Sequence, residues 1–187
     1  MVKRNACVFI SGYGSNLKSL IKSSRDNNFP ININLVVSDN IHAKGIYHAK
    51  KNSIPFLLVN TKKRYFEDYI LNNVKKYDIS IICLAGYMKI LSKNFIRKFG
   101  KKIINVHPSL LPRYKGLNTY ERVLKNKEKK TGCTVHFVNE KLDGGKLIVQ
   151  KFFFIDKKDK KSNLKDKTQK LERKAFSEAL IKVFRYS

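Results

Sequence analysis

Asn105 and His107 are the two side chains of this sequence best placed to do chemistry together. They lie in and directly after the run Ile103-Ile104-Asn105-Val106, whose apolar character predicts a buried strand. Residues two apart in a strand project from the same face, so an amide and an imidazole would meet at the strand's carboxyl end. An amide N–H stabilises negative charge on a carbonyl oxygen, and an imidazole with a pKa of about 6.5 moves protons at neutral pH. The pair therefore suits acyl transfer. On these two residues alone, however, a strand end whose polar side chains merely cap the following turn is the favoured interpretation.

A carboxylate, Asp143, follows later in the run Leu142-Asp143-Gly144-Gly145. Asp143 can orient an imidazole and raise its pKa by Coulomb attraction, or it can be a turn residue, since Asp-Gly is a strong turn signal. His136 is the rival histidine. Its place between Val135 and Phe137, in the middle of a predicted strand, favours a packed structural role, and a place near the site stays open as the alternative.

A glycine-rich turn, Gly12-Tyr13-Gly14-Ser15-Asn16, follows the first predicted strand and precedes a helix. Glycines let backbone N–H groups approach a phosphate, and a helix N-terminus favours an anion. The turn is not a dinucleotide fingerprint, because Leu17 stands where the third glycine would be. The alternative is a turn in which Ser15 or Asn16 caps the next helix.

These residues lie among alternating strands and helices. Apolar runs predict strands at 7–10, 31–37, 56–59, 79–85, 103–106, 134–138 and 147–153, and helical spacing predicts helices after residue 16 and at 44–51, 65–74, 94–99, 119–125 and 164–184. The alternation indicates an α/β fold with a doubly wound, mostly parallel sheet and ligands at the carboxyl ends of its strands. With 187 residues and neither a repeat nor a linker, we expect one domain over 1–187.

Composition narrows the function classes. Forty Lys and Arg against 14 Asp and Glu give a net charge of +26, which favours contact with nucleic acid, anionic lipid or phosphorylated substrates. Because the lysines are scattered among Asn, Ile, Tyr and Phe, all with A/T-rich codons, compositional drift explains the charge better than a nucleic-acid footprint. The three cysteines are widely spaced, no apolar run approaches a membrane span and no Cys/His spacing is typical of zinc. We expect a cytoplasmic chain without disulfides, membrane partner, specific nucleic-acid partner or metal.

Longer stretches resemble the folate-dependent formyltransferases. Asn105-Val106-His107-Pro108-Ser109-Leu110-Leu111-Pro112-Arg113-Tyr114-Lys115-Gly116, followed by Leu142-Asp143-Gly144-Gly145, resembles their active-site signature, and the segments 11–17 and 84–91 match in the same order. The similarity extends from about Cys7 to the last helix. It implies a Rossmann-like formyltransferase fold. It also implies transfer of a formyl group from 10-formyltetrahydrofolate to the amine of 5′-phosphoribosylglycinamide in purine biosynthesis, without a metal.

The resemblance also implies a role for individual residues. Catalysis would fall to Asn105, His107 and Asp143. The phosphoribosylated substrate would contact Gly14, Ser15, Asn16, Gly86, Pro108 and Glu172. The folate would contact Arg64, Leu84, Met88, Lys89, Ile90, Leu91, Asn105, Val138, Asn139 and Glu140.

The chain departs from the pattern of these enzymes in two places. The spacing to Phe66-Glu67 puts Lys63 rather than Arg64 where a folate-contacting arginine is expected, and lysine cannot make the two-pronged carboxylate contact. On the last helix, Glu172-Arg173 and Phe176-Ser177 replace a Glu-His and a Tyr-Pro pair. The chain also stops at Ser187, shortly after that helix and without the extension that many of these enzymes carry, so we expect the pocket wall and the dimer contacts to differ. Both a monomer and a homodimer stay open.

Three alternative functions are weighed against this one. A 10-formyltetrahydrofolate hydrolase would share the trio of Asn105, His107 and Asp143 but would not need the Gly14-Ser15-Asn16 loop. A methionyl-tRNA formyltransferase would fit the positive charge but carries an additional RNA-binding domain. A basic nucleic-acid-binding module without catalysis would leave the trio unexplained and lacks a clustered aromatic and basic motif.

Overall fold

The computed structural model describes residues 2–185, with strands and helices in alternation. In chain order they are β1 (Arg4–Ile10), α1 (Ser15–Ser24), β2 (Ile31–Ser38), α2 (Gly45–Lys51), β3 (Phe56–Leu58), α3 (Phe66–Lys76), β4 (Ile81–Leu84), α4 (Lys93–Phe99), β5 (Lys102–His107), α5 (Thr119–Lys125), β6 (Lys130–Phe137), β7 (Leu147–Phe154) and α6 (Lys161–Arg185). The chain groups into two compact units, residues 1–104 and 105–187. One domain over 1–187 stays a prediction.

The strands form a sheet with the order β3-β2-β1-β4-β5-β6-β7. β1 pairs in parallel with β2 and β4, β2 pairs in parallel with β3, and β6 pairs with β7 antiparallel. The predicted α/β fold with a doubly wound, mostly parallel sheet is confirmed. β2 and β3 lie on one side of β1 and β4 on the other, so the carboxyl ends of β1 and β4 flank a switch point, where such sheets bind ligands.

The first unit is built on strands that are buried on both faces. In β1 the side chains of residues 6–10 have no exposed surface, and β4 is buried throughout. In the sequence, such strands are continuous apolar runs, because helices cover a parallel sheet on both sides. Ser11, directly after β1, connects the two strand ends: its N–H donates to the Gly86 carbonyl, and its hydroxyl oxygen accepts from the N–H of Met88 at 2.9 Å. The segment after β4 is therefore held to the end of β1.

The second unit combines the β6–β7 hairpin with the long helix α6, which packs against both strands. The buried side chains of this helix recur at three- and four-residue intervals and form one apolar stripe: Leu164, Thr168, Glu172, Ala175, Phe176, Ala179, Leu180 and Val183. A buried carboxylate within that stripe, Glu172, is unusual for a core position.

Most predicted elements match the observed ones within a few residues, and α5 matches at both ends. The largest difference is at β6, which begins at Lys130 and ends at Phe137, whereas the apolar run predicted 134–138. Cys7, Cys83 and Cys133 are free and buried. In residues 2–185, no helix has both the length and the apolar character that crossing a membrane requires.

Candidate active site

Asn105, His107 and Asp143 come together in the second unit, in a cluster that also contains His136. His107 ends β5 and its Nδ1 lies 3.4 Å from Oδ2 of Asp143. His136, near the end of β6, places Nε2 3.6 Å from Oδ1 of the same carboxylate and 3.2 Å from Nδ2 of Asn105. The side chains of His107, His136 and Asp143 are 7%, 2% and 8% exposed, so their charges interact away from bulk water.

The partners of His107 determine where its proton lies. Nε2 is 2.8 Å from the carbonyl oxygen of Tyr114, which can only accept, so Nε2 carries the proton. In the neutral ring the Nδ1 lone pair then faces Asp143, whereas the imidazolium would donate to both neighbours. Burial lowers the pKa of His107, and the Tyr114 carbonyl and the Asp143 charge oppose that shift. The predicted Coulomb attraction by Asp143 is present, but burial outweighs it and the net pKa shift is downward.

The turn between β6 and β7 aims the Asp143 carboxylate into the cluster. Asp143 has φ +45°, and its Oδ2 accepts from the N–H of Gly116 at 2.8 Å. A Cβ on Gly145 would overlap the carbonyl oxygen of Phe137, so only glycine lets the turn close this tightly. Burial alone would raise the pKa of the Asp143 carboxyl, but the adjacent His136 ring, the Gly116 N–H and the adjacent His107 ring lower it to about 2. Asp143 is therefore ionised and stabilised as an anion.

His136 is the residue that reasoning from the sequence misplaced. Because β6 ends at Phe137, His136 lies at the carboxyl end of the strand rather than in its middle, and β5 and β6 are neighbours in the sheet. Its Nδ1 is 2.8 Å from the carbonyl of Phe137, so Nδ1 carries the proton and Nε2 accepts from the Asn105 amide. His136 is buried, as the predicted packed role requires, and it also contacts the Asn105 amide, which is the open alternative of a place near the site.

Thr134 and Gln150 hold the loop that follows His107, and no sequence pattern indicates this role for either residue. The buried Thr134 hydroxyl donates to the carbonyl of Ser109 at 2.7 Å and accepts from the N–H of Leu111 at 3.1 Å. The Gln150 amide donates to the Leu111 carbonyl at 2.7 Å. This anchoring fixes the half-buried Pro108 and the loop that presents the Tyr114 carbonyl to His107.

The other predicted residues of the second unit lie on the β6–β7 connection and on α6. Val138 is half-buried, and Asn139 and Glu140 are exposed. Asn139 stabilises the turn, because its side chain donates to the Gly144 carbonyl and accepts from the N–H of Lys141. Glu172 is buried on α6. Burial raises the pKa of the Cys133 thiol to about 12, and the charge of Glu172 contributes to that shift.

In the first unit, Gly14, Ser15 and Asn16 form the start of α1. Gly14 is the N-cap with φ +72°, and no side chain caps the helix. The alternative in which Ser15 or Asn16 is the cap is therefore wrong. The positive end of a helix dipole favours an anion, and no capping side chain occupies this start. A Cβ at Gly14 would also press on Gly45, so packing alone already requires glycine here.

The predicted folate contacts of the first unit surround the segment after β4. Leu84 and Leu91 are buried, whereas Met88 and Ile90 are 67% and 74% exposed and Lys89 is exposed beside them. Gly86 has φ +79° and turns the chain out of the strand. Two large apolar side chains exposed together at a switch point are a surface that an apolar ligand would cover.

Arg64 and Lys63 are both exposed ahead of α3. The Arg64 guanidinium lies over the Tyr65 ring at 5.4 Å. Which of the two contacts the folate stays a prediction. Within residues 2–185, His, Cys, Asp and Glu side chains form no group of three or more that could hold a metal ion.

The fold and the Asn-His-Asp cluster define the class of protein: the chain belongs to the formyl transferase family, which it matches over residues 4–180. It is similar to phosphoribosylglycinamide formyltransferase of Haemophilus influenzae, with 41% identity over 151 residues, 79% of this chain and 71% of the relative. The crystal structure of phosphoribosylglycinamide formyltransferase from Brucella melitensis has a TM-score of 0.92 and 35% identity, covering 100% of this chain and 97% of that one.

A third relative is much longer. The human trifunctional purine biosynthetic protein adenosine-3 is 38% identical over 182 residues, which cover 95% of this chain. The chain spans only 18% of the length of that relative.

Proposed function

We propose that the chain transfers a formyl group from 10-formyltetrahydrofolate to the primary amine of 5′-phosphoribosylglycinamide, a step of purine biosynthesis, as one cytoplasmic domain over residues 1–187. The observation that carries the proposal is the buried cluster of His107, Asp143, His136 and Asn105 at the end of β5. Membership of the formyl transferase family and the names of two bacterial relatives support the choice of substrates.

Asn105 is the group that we assign to the developing negative charge on the formyl oxygen. Its amide has two N–H bonds, and His136 accepts one of them at 3.2 Å. The other N–H is then held in a fixed direction, and a preorganised donor of this kind is worth about 2.7–4 kcal/mol in the transition state. His136 acts in this scheme as a positioning residue.

His107 supplies charge and a place for the proton. The lowered pKa keeps its imidazole neutral at neutral pH, and negative charge developing beside it raises that pKa again. The formyl donor supplies the carbonyl carbon that the amine attacks. As the new C–N bond forms and the bond to N10 of the folate breaks, His107 receives the proton lost by the amine, and that proton ends on N10. The ionised Asp143 stabilises the imidazolium in between.

The substrates have separate proposed contacts. The uncapped start of α1, with Gly14, Ser15 and Asn16, would hold the ribose phosphate, and Gly86, Pro108 and Glu172 would contact the rest of that substrate. The exposed Met88 and Ile90 would cover the pterin of the folate. The remaining folate contacts would come from Leu84, Lys89, Leu91, Val138, Asn139, Glu140 and either Lys63 or Arg64.

The test is formation of tetrahydrofolate from 10-formyltetrahydrofolate with and without phosphoribosylglycinamide, with the formylated product identified by mass spectrometry. Turnover that requires the glycinamide supports the transferase, and turnover without it supports the hydrolase. His107→Ala is the loss-of-function variant, and His42→Ala, at an exposed histidine, is its matched control. Absence of turnover in both conditions would refute the proposal.

A further inference from the structure

An open pocket lined by charged and polar side chains lies in the second unit, between the loop after β5 and α5. It has a volume of about 510 Å³ and is lined by Arg113, Tyr114, Arg122, Lys125 and Asn126. None of these five residues is acidic. Arg113 is paired with Glu128, but Arg122 and Lys125 have no carboxylate partner in the described part of the chain. The pocket therefore concentrates positive charge that the protein itself does not neutralise.

The pocket is preorganised around the Tyr114 ring. The guanidinium groups of Arg113 and Arg122 lie 5.3 and 5.6 Å from the ring centre. The Tyr114 hydroxyl donates to Glu128 at 2.5 Å and accepts from the Asn126 amide at 2.9 Å. Side chains fixed in this way lose little conformational entropy when a ligand binds.

Arg122 offers donors that the protein leaves unused. One terminal nitrogen donates to the Lys115 carbonyl at 2.5 Å, which fixes the position of the guanidinium. Its Nε is buried and has no acceptor among the described residues. A buried N–H of a charged group without an acceptor costs free energy, and an anion beside the guanidinium would offset part of that cost through its charge.

We propose that this pocket is a binding site for a small anion that bears a phosphate group. The Arg122 guanidinium and the Lys125 ammonium match the charge of a phosphate group, and the Arg122 guanidinium already lies against the Tyr114 ring. The anionic group is therefore what the site selects. Its residues differ from those to which we assign the ribose phosphate. The inference therefore does not depend on the proposed function.

The pocket is connected to His107 through Tyr114. Tyr114 has φ +59°, an uncommon conformation for a bulky residue, and its carbonyl oxygen accepts the hydrogen bond from His107 while its ring lines the pocket. The titratable and charged groups that act on His107 are Asp143, His136 and Arg122, and the Arg122 charge lowers the pKa of His107. An anion that neutralises Arg122 will raise the pKa of His107.

Inorganic pyrophosphate is the probe, titrated into the full chain by calorimetry and by NMR of the arginine Nε–H and backbone N–H signals. The Arg122 Nε–H signal, assigned by its absence from the spectrum of Arg122→Gln, should move when pyrophosphate binds. The midpoint of the His107 titration, followed by NMR, should shift to higher pH. Lys125→Gln with Arg122→Gln should weaken binding at least about tenfold. The control Lys157→Gln with Lys158→Gln removes the same charge from an exposed loop and should weaken it less than about twofold.

Three results would overturn the proposal. The first is equal weakening by the control pair, which would show that pyrophosphate follows the overall field of a chain with net charge +26. The second is binding that shifts the N–H signals of Ser15 and Asn16 but not that of Arg122. The third is the absence of binding at about 1 mM pyrophosphate. If Arg122→Gln fails to fold, Lys125→Gln alone is the variant to test, because the Lys125 side chain has no ion pair in the described part of the chain.

Discussion

Replacing Asp143 with asparagine tests the cluster most directly, because the change keeps the shape and removes one charge. The Gly116 N–H can still donate to the amide oxygen, so the turn is expected to hold. What is lost is the attraction between the carboxylate and a protonated His107, 3.4 Å away. At an effective dielectric constant of about 20, two unit charges at that distance attract by about 5 kcal/mol. If half of that acts in the transition state, kcat falls about 70-fold.

The pH dependence of Asp143→Asn separates loss of charge from loss of structure. Removing the negative charge lowers the pKa of His107 further, so the acidic limb of the pH–rate profile should move to lower pH. The folded-state pKa of Asp143, about 2, lies below its ordinary value of 3.8, so the unfolded chain binds more protons in that range. The stabilisation by Asp143 is complete above that range and is lost as the pH falls from 3.8 towards 2. The variant should lack this step in acid denaturation.

The assay is tetrahydrofolate formation at saturating phosphoribosylglycinamide, measured across pH for the wild type, Asp143→Asn and Asp159→Asn. Asp159 is the matched control, since it is paired with Lys167 outside the cluster. A double variant, His107→Ala with Asp143→Asn, should be little slower than His107→Ala alone if the two side chains act as one unit. A kcat within about threefold of the wild type in Asp143→Asn, with an unmoved acidic limb, would refute the reasoning.

Three further outcomes are expected. Asn105→Ala should lower kcat by roughly a hundred- to a thousandfold with little change in substrate affinity, and a large rise in KM at unchanged kcat would count against an oxyanion donor. Thr134→Val should lower the unfolding free energy by about 2–4 kcal/mol in urea denaturation, because it leaves the N–H of Leu111 and the carbonyl of Ser109 without their partner, and a loss below about 0.5 kcal/mol would contradict that role. RNA should bind without sequence preference and with an affinity that falls steeply with salt in filter-binding assays, and selective binding at physiological salt would restore the nucleic-acid hypothesis.

The sheet could be predicted from the sequence because its central strands are buried on both faces. Continuous apolar runs such as 31–37 and 103–106 are typical of such strands, and glycine or polar turns mark their ends. Asn105 and His107 could be found because side chains two apart in a strand share a face. Both signals are local in sequence, which is why they sufficed.

His136 and the anion pocket required tertiary structure. β6 ends at Phe137, and Gly145 of the following turn lies close to the Phe137 carbonyl. The apolar run around His136 does not indicate where the strand ends, so the sequence predicts His136 in mid-strand. The cationic side chains of the pocket, Arg113, Arg122 and Lys125, do not form a run, so they are indistinguishable in sequence from the many scattered lysines. The densest basic run of the sequence, 157–161, does not line the pocket.

The contact between Gly145 and the Phe137 carbonyl also constrains how the sequence can change. A methyl group at position 145 would overlap a main-chain oxygen, which cannot rotate away as a side chain could. At Gly144 the nearest atom to an added methyl is the side-chain Cβ of Lys141, but the Lys141 carbonyl oxygen lies only slightly farther away. In a library randomised at both positions, 145 should therefore be restricted to glycine more strictly than 144. Selection for tetrahydrofolate production would thus preserve residue 145 through its backbone shape alone, although it carries no side chain that could react.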